Sequence, residues 1–364
     1  MYTYTGGAIF MDAIKGRGAQ KQYTNRFDRL SHELRDDYLE HCRLEEEEVS
    51  QSFTSYRDVF PKSFINKVNS PDVGMSYSAN PYQGCEHGCV YCYARNSHEY
   101  WGYGAGMDFE KNILVKKEAP RILEKEITRK KWNGHTVVFS GNTDCYQPIE
   151  RKLQITRACL EVMVKWRHPT GIITKNSLVL RDLDLLLRLQ EYKAIRVYVS
   201  IPTLDEELRR VLEPRTATIK NRLKTVETLA QNGIPVGVMM APVIPGLTSH
   251  EIIDIARTVA DAGASDIGHI VVRLNGRIGE IFSDWIRIRF PERSEKVLNQ
   301  IAQCHEGKLN DSEFGRRMKG SGPVAVQIGS MVRLARSRYF NGRKLPAVEA
   351  TSFLQLKHPQ QRLF

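Results

Sequence analysis

The chain contains 364 residues, of which 41% are hydrophobic, and it carries a formal net charge of +11. This length and composition are enough for one large core, or for a core with smaller attachments, and no apolar run is long enough to predict a transmembrane helix. The seven cysteines are odd in number with three clustered, which excludes a disulfide framework, and the N-terminus lacks the pattern of a secretory signal. A cytoplasmic protein without a membrane partner is therefore predicted.

Residues 1–73 are predicted to form an N-terminal extension. Within it, Ser31–Ser50 is acidic and includes the run Glu45–Glu48, whose like charges repel one another. A solvated helix or a disordered tether is expected there. The preceding segment Gly16-Arg17-Gly18 is interpreted as irregular chain that drapes over the core.

Residues 74–273 show a regular alternation of short β-branched runs with longer amphipathic ones. Six runs are predicted to be strands: Met75–Ala79, Thr136–Ser140, Gly171–Lys175, Ile195–Ser200, Ile234–Met240 and Gly268–Val272. Four stretches between them have helical periodicity: Arg151–Arg167, Arg181–Tyr192, Thr216–Asn232 and Ser249–Ala262. This order predicts an α/β fold with a parallel sheet, and the βα units fit an open barrel.

A loop with three cysteines follows the first predicted strand. Cys85, Cys89 and Cys92 lie in Gly84-CEHGCVYCYA with the spacing C-x3-C-x2-C. Thiolates are the usual ligands of iron–sulfur clusters, and a [4Fe–4S] cube normally takes four of them. Three thiolates can hold three of the irons and leave the fourth open to a non-protein ligand.

Zinc is the alternative occupant of this loop. A structural zinc site needs four ligands, which usually come as two separated pairs. No second pair is present here, because Cys42, Cys145, Cys159 and Cys304 are isolated in the sequence. His87 lies in the same tight loop, where it would be cramped as a fourth ligand. The iron–sulfur interpretation is therefore favoured.

Small and polar residues stand at or near the ends of the later predicted strands, where βα barrels carry their chemistry. Thr143 follows the second strand, Lys175 and Ser200 end the third and fourth, and Ala241 follows the fifth. The polar ones have a structural alternative as strand caps. An ammonium at the barrel mouth suits a carboxylate ligand through a charge-assisted hydrogen bond.

Residues 274–364 are predicted to be a basic, mainly helical C-terminal region. From Arg273 onward there are 17 Lys/Arg against 8 Asp/Glu. Basic faces attract phosphates, so one hypothesis is a nucleic-acid partner. The other is that this region only closes the barrel.

The cysteine loop resembles that of the radical S-adenosylmethionine (AdoMet) enzymes, and the middle of the chain resembles their spore photoproduct lyase-like, or DNA-repair-photolyase-like, branch. The matching segments are Asn80-PYQGCEHGCVYCYAR, Asn142-TDCYQPIE, Ile173-TKNSLVLRDLDLL, Ser200-IPTLDEELRRVLEPRTAT and Gly237-VMMAPVIPGLT. The resemblance implies a partial (β/α)6 TIM-like barrel, a [4Fe–4S] cluster on the three loop cysteines, and AdoMet on the open iron. It also implies an external electron donor of the flavodoxin or ferredoxin type.

The resemblance further implies roles for single residues around AdoMet. Lys175, Ser200 and Thr143 are expected to bind AdoMet, and Ala241 to lie close to its adenine. Tyr91 and Tyr93 flank Cys92 and are interpreted as shields of the cluster, with a hydrogen-atom relay as the alternative that the lyases suggest.

A hydrogen-donating cysteine of the lyases aligns with Gly141 here, and its absence argues against spore photoproduct repair itself. Cys145 lies four residues further on and is the candidate donor. The equally favoured alternative is that Cys145 is only a small buried thiol that packs in the core.

The sequence thus predicts a radical AdoMet enzyme that makes a 5′-deoxyadenosyl radical and acts on an unidentified substrate. The first hypothesis is a DNA-repair-lyase-like enzyme acting on nucleic acid. The second is an enzyme that modifies a protein or a small molecule. The third is a non-catalytic scaffold that binds an iron–sulfur cluster or zinc.

Overall fold

The structure is a computed structural model that describes residues 17–19 and 54–357, so the predictions for Ser31–Ser50 and Cys42 lie outside it. The strands are β1 (Ser55–Asp58), β2 (Ile65–Lys67), β3 (Tyr77–Ala79), β4 (Tyr82–Gln83), β5 (Asn112–Val115), β6 (Val137–Phe139), β7 (Thr170–Thr174), β8 (Ile195–Ser200), β9 (Val236–Val243) and β10 (Asp266–Val271).

The described helices alternate with these strands in the middle of the chain and follow one another in the C-terminal region. Short 3-10 helices cover Tyr93–Trp101, Ser177–Asp182 and Ser249–Glu251. The α-helices are Met107–Lys111, Ala119–Ile127, Glu150–Leu153, Ile155–Trp166, Leu183–Gln190, Glu206–Leu212, Ile219–Gln231, Ile252–Asp261, Ile278–Arg289, Pro291–Cys304, Gly322–Tyr339 and Thr351–Lys357.

The main sheet has the order β10-β9-β8-β7-β6-β3-β2. Six of its strands, β3 and β6 to β10, are parallel and stand side by side in chain order. Among the described residues β10 does not pair with β2, so the barrel stays open on one side. The predicted α/β class and partial parallel barrel are confirmed, and the six predicted strands are found with ends shifted by at most three residues.

Residues that the sequence assigned to the N-terminal extension contribute strands to both sheets. β2 pairs antiparallel with β3, while β1 joins β5 and β4 in a separate three-stranded sheet. The Glu126 carboxylate receives the backbone N–H groups of Phe64, at 3.1 Å, and Ile65, at 2.8 Å, and so fixes the start of β2.

The helix predicted for Arg151–Arg167 is interrupted at Gln154, whose backbone is left-handed with a φ of 52°. The cause is the buried carboxylate of Glu150, which accepts the N–H groups of Thr156, at 3.0 Å, and Arg157, at 3.3 Å. These groups belong to the first turn of the second helix, where amides lack partners within the helix. The chain must therefore turn back at Gln154 to bring them to Glu150.

The C-terminal region covers the open side of the barrel. The carbonyl of Met318 accepts the N–H of Val271 at the end of β10, at 2.9 Å. One residue earlier, Arg317 reaches the hairpin before β3 and binds Asp72 at 2.5 Å and Ser70 at 2.6 Å. This segment thus connects the two edges of the sheet. Within the described residues, no helix has the length and apolarity needed to cross a membrane.

Candidate active site at the cysteine loop

The cysteine loop, Gly84–Cys92, follows β4 at the carboxyl end of the barrel strands and is fixed by contacts to its backbone. Cys85 donates its N–H to the carbonyl of Phe109 at 2.8 Å. The side chain of Gln147 accepts the N–H of Glu86 at 3.0 Å and donates to the carbonyl of Gly84 at 3.1 Å. The conformation of the loop is therefore determined by the protein's own groups.

The three loop cysteines form adjoining apolar clusters in which Cys92 contacts the surroundings of both Cys85 and Cys89. Cys85 and Cys89 are only 6% exposed, and burial raises the pKa of both thiols. In the described part of the chain, no three His, Cys, Asp or Glu side chains are placed to hold a single metal ion. A four-iron cube binds thiolates at separate corners and does not need them to converge on one point. Three soft, shielded thiols on one fixed loop fit such a cube.

Lys175 follows β7 and brings a positive charge to the loop. Its Nζ lies 5.7 Å from the centre of the Tyr91 ring. Burial alone would lower the pKa of Lys175, but the nearby Cys89, Glu213, Cys92 and Asp144 raise it overall, so the side chain remains an ammonium. Among the described residues this ammonium has no hydrogen-bond acceptor and no ion-pair partner. It is therefore available to an anionic ligand.

A buried ion pair holds the hydroxyl group of Tyr91. The Tyr91 hydroxyl donates to the Glu213 carboxylate, and Arg222 pairs with the same carboxylate at 2.6 Å. Burial would raise the pKa of Glu213, but Arg222 and Lys175 lower it overall, so the group is ionised. Arg222 also donates to the carbonyl of Ser200 at 2.9 Å, which joins the end of β8 to this network.

Sequence reasoning missed Glu213 and Arg222. Glu213 lies in one of the segments that carry the family resemblance. With its neighbours Pro214 and Arg215 it forms no local motif that would mark it as a site residue. Arg222 lies on the buried face of its helix together with Ile219 and Val226. An arginine on a mostly apolar helix face is the signal that was available, because such a charge needs a buried partner.

Asp144 connects the second and third strand ends to the cysteine loop. Its carboxylate accepts the N–H of Tyr146 at 2.9 Å and that of Lys175 at 2.8 Å, and lies 3.4 Å from His87 Nδ1. Asp144 thus orients the turn that follows β6. The other ring nitrogen of His87 lies 3.3 Å from the Asn176 amide, so both nitrogens face protein groups. Burial lowers the pKa of His87 to about 4.

The remaining residues predicted to bind AdoMet occupy strand ends of the same barrel. The Thr143 hydroxyl is buried and donates to the carbonyl of Tyr82 at 2.7 Å. Ser200 is buried at the end of β8, whereas Ala241 lies inside β9, which continues to Val243. Their contacts to AdoMet remain predictions.

The two tyrosines beside Cys92 have different environments. Tyr91 is buried, and burial together with Glu213 raises the pKa of its phenol well above the usual value. Tyr93 is 48% exposed and donates to the carbonyl of Gly141 at 2.6 Å. Tyr91 thus suits a shielding role, and Tyr93 lies where solvent and ligands have access.

Cys145 lies apart from the loop cysteines. Its side chain is fully buried in the main hydrophobic core together with Cys159 and Tyr146. At Gly141, the position aligned with the lyase donor, a Cβ atom would overlap the side chain of Ser78, so no larger residue fits there without displacing Ser78. The donor role of Cys145 stays a prediction, and this placement weighs against it.

The family can be identified from the comparisons with known proteins. The model of the radical SAM superfamily matches residues 79–259. An uncharacterised protein of Mycobacterium tuberculosis is 34% identical over 241 residues, which are 65% of this chain and 71% of that protein. The chain belongs to the radical SAM superfamily. Enzymes of this superfamily use a [4Fe–4S] cluster and AdoMet, and they depend on an external reductant.

Further relatives agree with this assignment. An uncharacterised protein of Methanocaldococcus jannaschii is 29% identical over 241 residues, covering 66% of this radical SAM protein and 86% of the relative. A structure of spore photoproduct lyase complexed with dinucleoside spore photoproduct superposes with a TM-score of 0.56 at 17% identity, covering 79% of this chain and 80% of the lyase. At this identity the likeness concerns the fold alone.

The role of Cys145 can be tested against Cys159, which is also a fully buried thiol of the same core. If Cys145 only packs, Cys145→Ala and Cys159→Ala should each cost about 1 kcal/mol of stability and leave AdoMet cleavage and the product pattern unchanged. Denaturant unfolding and product analysis by mass spectrometry check this. Altered products with the Cys145 variant but not with the Cys159 variant would restore the donor role.

Proposed function

We propose that this radical SAM enzyme holds its [4Fe–4S] cluster through Cys85, Cys89 and Cys92 and binds AdoMet beside it through Lys175. When bound, cluster and AdoMet supply a 5′-deoxyadenosyl radical that abstracts hydrogen from a substrate. The observation that carries this proposal is the Lys175 ammonium, which has no hydrogen-bond or ion-pair partner among the described residues, lies 5.7 Å from the centre of the Tyr91 ring and interacts electrostatically with Cys89 and Cys92 of the loop.

Each of the protein's own groups at this site would have a separate binding role. Cys85, Cys89 and Cys92 would bind three irons of the cluster as thiolates and would leave its fourth iron to a non-protein ligand. The Lys175 ammonium pairs with the AdoMet carboxylate through a charge-assisted hydrogen bond. Ser200 and Thr143 offer hydroxyl groups at neighbouring strand ends, and Ala241 leaves room for the adenine.

Tyr91 and its ion pair would keep water away from the reacting groups. The Tyr91 ring lies between Lys175 and the buried Glu213–Arg222 pair, and its hydroxyl is held by Glu213. Because burial and Glu213 raise the pKa of this phenol, it stays a neutral donor. A fixed aromatic wall of this kind protects a reactive radical from side reactions with solvent.

For the substrate we favour nucleic acid over a protein or small molecule. The excess of cations in the C-terminal region supports this choice, as does the dinucleoside ligand of the structurally similar lyase. Arg273 lies two residues after β10, at the carboxyl end of the barrel strands and near the half-exposed Tyr93, and no ion pair among the described residues includes it.

The cofactor part of the proposal is tested by anaerobic reconstitution with iron and sulfide. We expect about four irons per chain and a reduced-state EPR signal that changes when AdoMet is added. Lys175→Met should keep the cluster but bind AdoMet about tenfold to a hundredfold more weakly, because a charged hydrogen bond is lost. AdoMet titration of the EPR signal measures this affinity.

Lys357→Met is the control, since Lys357 binds the carbonyls of Arg129 and Trp132 near the start of β3, at the other end of the barrel. It should behave like the wild type. A colourless protein with one zinc, or unchanged AdoMet affinity in Lys175→Met, would contradict the proposal.

The substrate part is tested by the salt dependence of binding to DNA and RNA oligonucleotides. If duplex DNA binds, the logarithm of the binding constant should fall with the logarithm of salt concentration, with a slope of about −0.9 per neutralised phosphate. Arg273→Ala should make the slope shallower by about one if Arg273 contacts a phosphate. Arg121→Ala, which removes an exposed cation paired with Glu118 on helix Ala119–Ile127, should leave the slope unchanged. No binding at low salt would favour a protein or small-molecule substrate.

A further inference from the structure

The described N-terminal residues Arg17–Ala19, here called the N-terminal strap, lie against the cysteine loop although they are far from it in sequence. All three residues are buried, and Arg17 is only 9% exposed. A Cβ atom at Gly18 would overlap the carbonyl oxygen of Gly88, so only glycine permits this approach. Gly88 stands directly before Cys89, and the strap therefore covers the backbone between two cysteines.

Glu110 fastens the strap at its backbone. Its carboxylate accepts the N–H of Ala19 at 2.8 Å and that of Gly18 at 3.2 Å, while its carbonyl accepts from Arg17 Nη1 at 2.8 Å. Glu110 has no exposed surface, so these bonds form away from water. Backbone N–H groups bound to a buried carboxylate make charge-assisted bonds, which are stronger than those between neutral groups.

Arg95 connects the same carboxylate to the cysteine loop. Its Nη2 lies 2.6 Å from Glu110 Oε1, and its Nε donates to the carbonyl of Cys89 at 3.0 Å. A third bond runs from Nη1 to the carbonyl of Gly106 at 3.0 Å. Arg95 and Glu110 are both fully buried, so each needs the other to neutralise its charge. Glu110 thus holds the strap on one side and, through Arg95, the Cys89 backbone on the other.

We propose that Glu110 is a positioning residue that makes the strap the outer wall of the cluster site, so that the cluster is protected from oxygen and chelators. This rests on the proposed function, because the wall matters only if Cys85, Cys89 and Cys92 hold a cluster. Solvent access and the groups around a metal site control its retention and potential.

The attachment of the strap can be tested without any cluster, on the cluster-free full-length protein. Trypsin cleaves after arginine, and the bond after Arg17 is protected by burial and by the contacts to Glu110. Glu110→Gln should make cleavage after Arg17 about tenfold faster, because the strap detaches more often when the charge is lost. Mass spectrometry of the early fragments identifies this bond. Wild-type cleavage rates in Glu110→Gln would overturn the assignment of Glu110.

The protective role is tested on the reconstituted protein by following the loss of cluster absorbance in air and with an iron chelator. Glu110→Gln should lose its cluster about tenfold faster than the wild type, as expected when a group supporting the ligands is altered. Gly18→Val removes the strap contact without changing the Glu110–Arg95 pair, and it should show the same faster loss of the cluster. This variant keeps the test valid if Glu110→Gln does not fold.

Glu126→Gln is the matched control. Glu126 is also a buried glutamate that binds two backbone N–H groups, those of Phe64 and Ile65, but at the start of β2. It should lose its cluster at the wild-type rate. Equal acceleration in Glu126→Gln, or none in Gly18→Val, would overturn the proposal. A protein that binds no cluster would instead refute the proposed function, and the trypsin result would still stand.

Discussion

The site depends on the neutralisation of buried charge around the cysteine loop. Arg95 and Glu110 pair on one side of the loop, and Arg222 and Glu213 pair on the other. Buried ions are stable only when they are paired and hydrogen-bonded. The residues that hydrogen-bond to each pair must therefore keep their positions. The Lys175 ammonium differs from these cations because it has no such partner among the described residues. A carboxylate ligand would supply the direct ion pair that this ammonium lacks there.

The barrel brings these groups together because its parallel strands end on the same side. β6, β7 and β8 are adjacent and in register, so the segments that follow them lie next to one another. Asp144 joins two of these segments through the N–H of Lys175 and also approaches His87 in the cysteine loop. The open side, where no pairing among the described strands closes the barrel, is covered by Arg317 and Met318. The fold thus encloses the site without hydrogen-bonding β10 to β2.

The parts of this arrangement that sequence could predict are those with a local pattern. β8 was predicted with its observed bounds, because its β-branched run lies between clear helical periods. The cysteine spacing and the lysine at the end of β7 were also evident from neighbouring residues. The interruption at Gln154 was not evident from the sequence. It follows from a hydrogen bond between the Glu150 side chain and the backbone N–H of Thr156, which only the folded structure shows. β1 and β2, with four and three residues, are too short to show a period of two.

The contacts that sequence could not predict join residues that are far apart in the chain. Tyr91 and Glu213 are 122 positions apart, and Arg17 and Glu110 are 93 apart. Each is an ordinary charged or polar residue in its own segment, and its meaning comes only from the partner that the fold places beside it. Tertiary pairing of this kind leaves no periodic signal in a single sequence.

The central claim is that three cysteines hold a cube whose fourth iron takes AdoMet, and Mössbauer spectroscopy of protein reconstituted with iron-57 tests it most directly. With AdoMet added, the account predicts a spectrum in which one iron of the cube differs from the other three, because Cys85, Cys89 and Cys92 bind only those three. A cube whose irons are all equivalent and unaffected by AdoMet, or the absence of a cube after anaerobic reconstitution, would contradict it.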